Sequence, residues 1–522
     1  MKKILILLFI IMGIIVYGAK NEITVNFEYE PYEANLDPQL SESITAANII
    51  PLLFEGLIKQ NENGEPVPGI AEKWERNAEG LVWTFYLREA EWENGDPVTA
   101  NDFKFAWIRA LDSKNAAEYA YMLFPIKGAY EFNVGMGNIE ELGIKVIDEK
   151  TLEVTLNSPT RYLDSLLTFP VYSPINEKYF NLYKDEYGKD AGKIMSNGAY
   201  KLVKWEHSDE LVLEKNKNYW NEKEVKTEKI RIKLINDISK SLEAFENNEI
   251  AFTVITPELY TEYRKDKRLI SYDDGSAWYL EYNLENDFLA NKKIRQALTI
   301  AIDKEELGSI LQAMGKPAYG YVPGFVQGVD KSFRKEAGNT YPHYNSKKAK
   351  KLFEEGLKEL NFNEAPEITL IFNDQGNNKK IAEYIQGKIK KELGYNLKIK
   401  SLPFKERLER MTQKTFEIVL AGWSGDFNDA LSYMDIWTTG GGNNHASYSN
   451  PKYDELIQIA QTSSDQKARI KAMIEAEKIL GDDMPIGMLY FRQKVFLVNP
   501  ELKNMKFKPV GSEYYLIDAY IE

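Results

Sequence analysis

The chain has 522 residues, is 43% hydrophobic and 28% charged, carries a formal net charge of −13 and contains no cysteine. That length exceeds one ordinary domain, so two or three domains are expected. The acidic balance argues against a nucleic-acid partner, which needs a basic face. The missing cysteine excludes a disulfide framework, a thiol nucleophile, a thiolate metal site and a lipid-anchored N-terminus.

Lys2 and Lys3, an apolar run over 4–16, and the small residues Gly18 and Ala19 have the layout of an export signal over 1–19. An uncleaved anchor is the other reading, for which the run is short. A signal without a lipid-anchoring cysteine predicts a periplasmic protein, with free secretion as the runner-up.

Alternation predicts a strand over 23–27, then a turn at Leu36-Asp37-Pro38 and a helix over 45–57. Trp83, Phe85 and Leu87 alternate as a strand, and Thr99 with Asp102 opens a helix over 103–111 as a capping-box variant. A hairpin is expected over 144–156, around Asp148-Glu149-Lys150. Strands follow at 201–205, 211–213 and 230–235, then a helix through Leu242 and Phe245 and a strand over 251–255. From Ile294 a helix begins. The final third alternates helix 347–360, strand 368–372, helix 379–393 and strand 397–400, the βαβ rhythm of a mixed sheet wrapped by helices.

Phe416 to Ala421 alternates as a strand and runs into Gly422-Trp423-Ser424-Gly425-Asp426. Asp429 stands as an N-cap for a helix over 430–437, which Gly440-Gly441-Gly442 stops. A carboxylate at a strand end among aromatic rings is a costly placement unless a cation partners it. Asp426 therefore admits two readings, a turn carboxylate or a ligand counter-charge.

Catalytic signatures are missing. His207, His343 and His445 lie far apart with no metal spacing, and Gly422 to Gly425 lacks the G-x-S-x-G spacing. No dinucleotide fingerprint or phosphate loop exists. Neither an enzyme, a metal nor a cofactor is predicted. The 32 tyrosines are mostly core or interface filler, though a minority lining a cleft would suit a polar organic ligand.

The strings ANLDPQL, LFEGLI, PGIAEKWE, WTFYLREAEWENGDPVTANDFKFAW, SNGAYKLVKW, IRQALTIAIDK and AGWSGDFNDALSYMD together resemble the oligopeptide-binding proteins of bacterial ABC importers, the family 5 extracellular solute-binding proteins. The resemblance covers nearly the whole exported chain. It implies an α/β, two-lobed fold of the periplasmic-binding-protein type II kind with an extra domain, its mixed β-sheets flanked by helices. Domain I would comprise 20–54, 187–277 and 493–522, domain II 55–186, and domain III 278–492 as the closing lobe. Hinge crossings would fall near 276–283 and 490–495.

The implied function is capture of extended oligopeptides between the lobes by a monomeric receptor, followed by delivery to an inner-membrane ABC permease. The same fold also serves murein peptide, oligosaccharide and nickel-chelate receptors, and a secreted hydrolase is the remaining alternative. Carried over by motif, Asp426 would meet the peptide α-amino group. Further ligand positions would be Glu42, Ile44, Tyr119, Tyr279, Phe404, Gly422, Trp423 and Ser424.

The chain also departs from the family. Arginines that meet short-peptide carboxylates in enteric relatives are replaced by Leu420 and Met411, and a lysine and a histidine by Gln312 and Asn378. Arg492 or Lys405 are the candidates to substitute. Ser276 and Ser424 stand where those relatives carry a cysteine pair, which predicts that the two serines lie close together.

Overall fold

The computed structural model describes residues 21–30, 34–373 and 375–522. The predicted export signal lies outside these. Among the described residues no helix is long and apolar enough to cross a membrane.

Three principal sheets organise the chain, two of them mixed in sense and one antiparallel, and helices flank them as the fold class requires. The first orders strands Glu22–Asn26, Lys229–Lys233, Glu210–Lys215 and Tyr200–Glu206, with the outer pair Glu22–Asn26 and Lys229–Lys233 parallel. The second is an antiparallel sheet of Ala71–Arg76, Val82–Leu87, Thr151–Thr155 and Ile144–Asp148, which contains the predicted hairpin. Helix Ala100–Leu111 packs over it. The Thr99 backbone N–H donates to Asp102 Oδ2 at 2.7 Å, so the capping box forms and starts this helix three residues earlier than the apolar run suggests.

The third sheet orders Phe252–Val254, Ile486–Val498, Leu269–Tyr282, Ile418–Ser424, Thr369–Asn373 and Lys398–Leu402. Its last three strands run parallel through the helices Asn378–Leu393 and Phe404–Thr412, which is the βαβ rhythm read from the sequence. Leu269–Tyr282 and Ile486–Val498 are the longest strands, and their register shifts between Asp273 and Ala277. A bulge of this kind interrupts the ladder between the two strands. Just beyond it Ser276 pairs with Ser424, their hydroxyl oxygens 2.7 Å apart, so the predicted proximity of the two serines is met.

The strand Ile418–Ser424 has two buried faces. Ile418 and Leu420 join one apolar cluster, while Val419 and Ala421 join another beneath the helices Pro451–Thr462 and Gln466–Asp483. The longer helix carries Glu477, fully buried, whose carboxylate accepts from the N–H groups of Tyr321 and Val322 (2.8 and 2.9 Å), from Thr340 Oγ1 (2.9 Å) and from Arg334 (2.6 and 2.7 Å). One carboxylate thereby ties the loop 318–341 to the sheet's helical cover.

The helix expected over 430–437 is corrected. It is a single turn, Leu431–Met434, followed by a 3-10 turn, Asp435–Trp437. The Asp429 side chain does accept the Leu431 N–H at 2.9 Å, but most of its capacity goes to the Arg469 guanidinium (2.9 and 3.1 Å). The ion pair draws the carboxylate away from a regular cap.

Glu477→Gln is expected to destabilise the protein by about 3 kcal/mol, because it leaves the Arg334 guanidinium without its counter-charge. A denaturant midpoint equal to the wild type would contradict this. The double substitution Ser276→Cys, Ser424→Cys should form a disulfide in air, since directly opposed cross-strand Cα atoms lie within disulfide reach. Thiol titration reads the result: two thiols lost and a raised unfolding midpoint are expected, whereas free thiols would refute the pairing.

Candidate ligand-binding site

The end of the strand Ile418–Ser424 separates two cavities. Along one side it pairs with Leu269–Tyr282 over its whole length, Ile418 to Ser424. On the other side Thr369–Asn373 pairs only with Ile418 and Val419. The outer edge from Ala421 to Ser424 therefore lacks a neighbouring strand, and Gly422 and Ser424 are solvent-exposed. Gly422 is required for this packing. A Cβ there would sit 2.8 Å from the Trp278 ring.

The larger cavity, about 540 Å³, runs beside this edge and has Tyr279, Phe404, Gly422 and Trp423 on its walls. Tyr279 is almost wholly buried, its ring packed edge-on against Tyr321 and Trp437. Phe404 is half exposed at 49%. The smaller cavity, about 210 Å³, brings together Glu42, Ile44, Tyr119, Ser424 and Asp426. Ile44 is 71% exposed at the start of helix Ile44–Leu53. Each candidate from the sequence thus stands on one of two adjoining cavities, four on the larger and five on the smaller.

Asp426 is partly buried. Its backbone N–H donates to Ser432 Oγ at 2.7 Å, which fixes the turn, and Tyr121 Oη donates to its Oδ2 at 3.4 Å from the opposite side of the cleft. Gly425 before it is obligatory, because a Cβ would lie 2.6 Å from the Tyr433 ring. Burial pushes the Asp426 carboxyl up to about 6, and the Tyr121 hydrogen bond only partly offsets this. Asp435, more deeply placed, is pushed up to about 7 by burial and then by the charges of Asp426 and Asp429. Arg469 is committed to Asp429. The arrangement can do one thing well: accept a cation of ammonium size against a carboxylate whose ionisation is otherwise resisted.

Tyr121 carries no motif signal and was missed in the sequence, and Asp435, the last residue of the string AGWSGDFNDALSYMD, was not singled out. Tyr162 was missed too; its ring stacks on Phe427 (5.4 Å, 9° between planes) beneath the Arg469 guanidinium at 5.3 Å. Of the candidate carboxylate partners, Arg492 donates to Asp274 Oδ2 at 2.6 Å and to Ser276 Oγ at 3.0 Å. Lys405 is exposed and off both cavity walls. Met411 and Asn378 line the larger cavity. Among the described residues no group of three or more His, Asp or Glu is placed to hold a metal ion.

Comparison with known proteins accounts for this architecture. The model of the bacterial extracellular solute-binding proteins, family 5 middle region, matches residues 65–445. The dipeptide-binding protein DppE of Bacillus subtilis is 34% identical over 93% of this chain and 90% of its own length. The oligopeptide-binding protein OppA of the same organism is 33% identical over 96% and 93%. Among solved structures, Listeria monocytogenes OppA bound to peptide superposes with a TM-score of 0.78 at 32% identity, covering 96% of this chain and 99% of its own. With a family model matched over most of its length and relatives of this identity spanning nearly all of it, the chain belongs to the bacterial extracellular solute-binding proteins of family 5, as the motifs in its sequence led us to expect.

Proposed function

We propose that this protein is the extracytoplasmic receptor of an ABC importer, capturing oligopeptides and passing them to a membrane permease. The observation that carries this reading is the unpaired strand edge at Ala421–Ser424, ending beside the carboxylate of Asp426. An extended peptide laid on that edge bonds through its main chain whatever its sequence. Its α-ammonium reaches Asp426, and its side chains enter the two cavities, where water can satisfy varied groups. The dipeptide- and oligopeptide-binding relatives support the ligand class.

The proposed domains are 20–54, 187–277 and 493–522, which hold the first sheet, 55–186, which holds the second, and 278–492, which holds most of the third; to this last sheet 187–277 and 493–522 also contribute Phe252–Val254 and the ends of the two long strands. The bulge between Asp273 and Ala277, opposite Gln493 and Phe491, supports a hinge where the two long strands cross between lobes. Tyr121 and Tyr162, from the second segment, meet Asp426, Phe427 and Arg469 of the third, so closure shields the ammonium–carboxylate pair. The receptor works as a periplasmic monomer without cofactor or catalysis.

Asp426→Asn is expected to weaken binding of a free tri- or tetrapeptide by about 100-fold, measured by titration calorimetry. An N-acetylated peptide should bind the wild type weakly and lose little further on substitution. Equal affinity of both proteins for the free peptide would remove the amine-anchor role. The pH dependence has a definite sign. Binding needs the ionised carboxylate, so affinity should fall as pH drops below about 6 and level off above it. Without ligand the raised carboxyl binds its proton more tightly in the folded state. Its contribution is greatest at low pH and is lost as pH rises through about 6. Unliganded Asp426→Asn should therefore be more stable than wild type at pH 7.5, by on the order of 1–3 kcal/mol. A lower thermal midpoint would contradict that.

A further inference from the structure

The break in register between Asp273 and Ala277 leaves three residues, Asp274, Gly275 and Ser276, opposite the single residue Arg492. Two of their amides are met locally. Gly275 N–H donates to Asp273 Oδ1 and Ser276 N–H to Asp274 Oδ1, each at 3.1 Å. Where the ladder is interrupted, its hydrogen bonds do not fix the angle between the two long strands. Side chains take over that role.

Two links do so. In the first, Arg492 donates to Asp274 Oδ2 at 2.6 Å and to Ser276 Oγ at 3.0 Å, and Ser276 Oγ lies 2.7 Å from Ser424 Oγ. The second is Tyr433, fully buried, whose Oη donates to the Gly275 carbonyl at 2.8 Å. A buried tyrosine hydroxyl needs a partner, and this one takes it from the tip of the break, 158 residues away in sequence. Gly275 is confined on its other side as well. Its φ is +75°, and a Cβ there would strike the Pro509 carbonyl oxygen. Tyr433 belongs to the proposed closing lobe and Pro509 to the domain that holds the first sheet, so the tip is packed between groups of both.

The other end of Tyr433 reaches the amine anchor. Its ring fills the space beside Gly425, where a Cβ would lie 2.6 Å from the nearest ring carbon. Ser432, its neighbour in the single turn Leu431–Met434, accepts the Asp426 N–H at 2.7 Å. One turn of helix therefore holds the loop that carries Asp426 and, through the Tyr433 hydroxyl, the break in the long strands. Tyr433 stands on neither cavity wall.

Resting on the peptide-receptor reading above and the hinge proposed with it, we propose that Tyr433 is a positioning residue that couples the amine anchor to the hinge. An ammonium held at Asp426 fixes the turn, and the turn, through Tyr433 Oη, holds Gly275 in the arrangement in which Tyr121 and Asp426 meet across the cleft. Asp426 discriminates at the amino end of the ligand. Tyr433 sets how long the lobes stay shut, and so acts on every peptide alike.

The test uses the exported chain with alanine-based tri- and tetrapeptides, each with a free and an acetylated amino end. Tyr433→Phe keeps the ring against Gly425 and removes only the hydroxyl. It should raise Kd about fivefold for every peptide, chiefly through a faster dissociation rate, and leave the ratio of acetylated to free Kd at its wild-type value. A merely structural tyrosine would lower the thermal midpoint and leave Kd and both rates of the folded protein unchanged. Hydrogen exchange supplies a readout that needs no variant. A bound tetrapeptide should slow exchange of the amides of 273–277 in wild type, and less so in Tyr433→Phe.

The coupling is overturned if folded Tyr433→Phe binds and releases peptides as wild type does, or if peptide leaves exchange at 273–277 unchanged in wild type. It is also overturned if the loss falls on free-amine peptides alone, since Tyr433 would then act on Asp426 and not on the hinge. Wild type that binds no peptide would defeat the receptor reading itself, whereas peptides bound with no effect of the hydroxyl defeat only the coupling.

Discussion

The structure is arranged around a carboxylate that it does not neutralise. Asp426 sits at the end of a central strand, and burial raises its carboxyl to about 6. A buried ionised carboxylate without a cation is among the more unfavourable things a fold can contain. The surroundings nevertheless hold it in place. Ser432 fixes its backbone, Gly425 lets the turn pass the Tyr433 ring, and Tyr121 supplies a single neutral hydrogen bond. This is costly to the unliganded protein, and under the proposed function an external ammonium completes the pair.

That constraint explains the sheet as well as the loop. A carboxylate can select an ammonium, but it cannot orient a chain of varied sequence. Orientation needs backbone groups, and the strand Ile418–Ser424 leaves its outer edge open over the last four residues leading to Asp426. Soluble proteins usually cover such an edge. Here it lies inside a cleft rather than on the outer surface, so it can serve a ligand without inviting aggregation. The shift in register between Asp273 and Ala277 interrupts the two longest strands beside Ser276, which pairs with Ser424, so that the proposed hinge and the proposed site share one piece of sheet.

How much of this could be read beforehand depended on whether the determining contacts were local. The hairpin Ile144–Asp148 with Thr151–Thr155, the capping box at Thr99 and the βαβ run after Ser346 follow from turn residues and periodicity within a few positions. The motif placed Asp426 at a strand end. The turn after it was misread as a full helix because Asp429 looked like a cap, and nothing near it in sequence announces Arg469, forty residues later. Tyr121 lies 305 residues from Asp426 and is one tyrosine among 32.

Asp426 and Asp429 make the clearest contrast in the molecule. They stand three residues apart in the same turn, beside the same aromatic residue, Phe427. Asp429 receives two hydrogen bonds from the buried guanidinium of Arg469, which also covers the Tyr162 ring, and its charge is thereby spent on holding the cleft wall together. Among the described residues no cation pairs with Asp426. Local sequence cannot distinguish a structural carboxylate from a binding one at this spacing. What separates them is whether the fold provides the counter-ion, and under the proposed function Asp426 is where the ligand brings it.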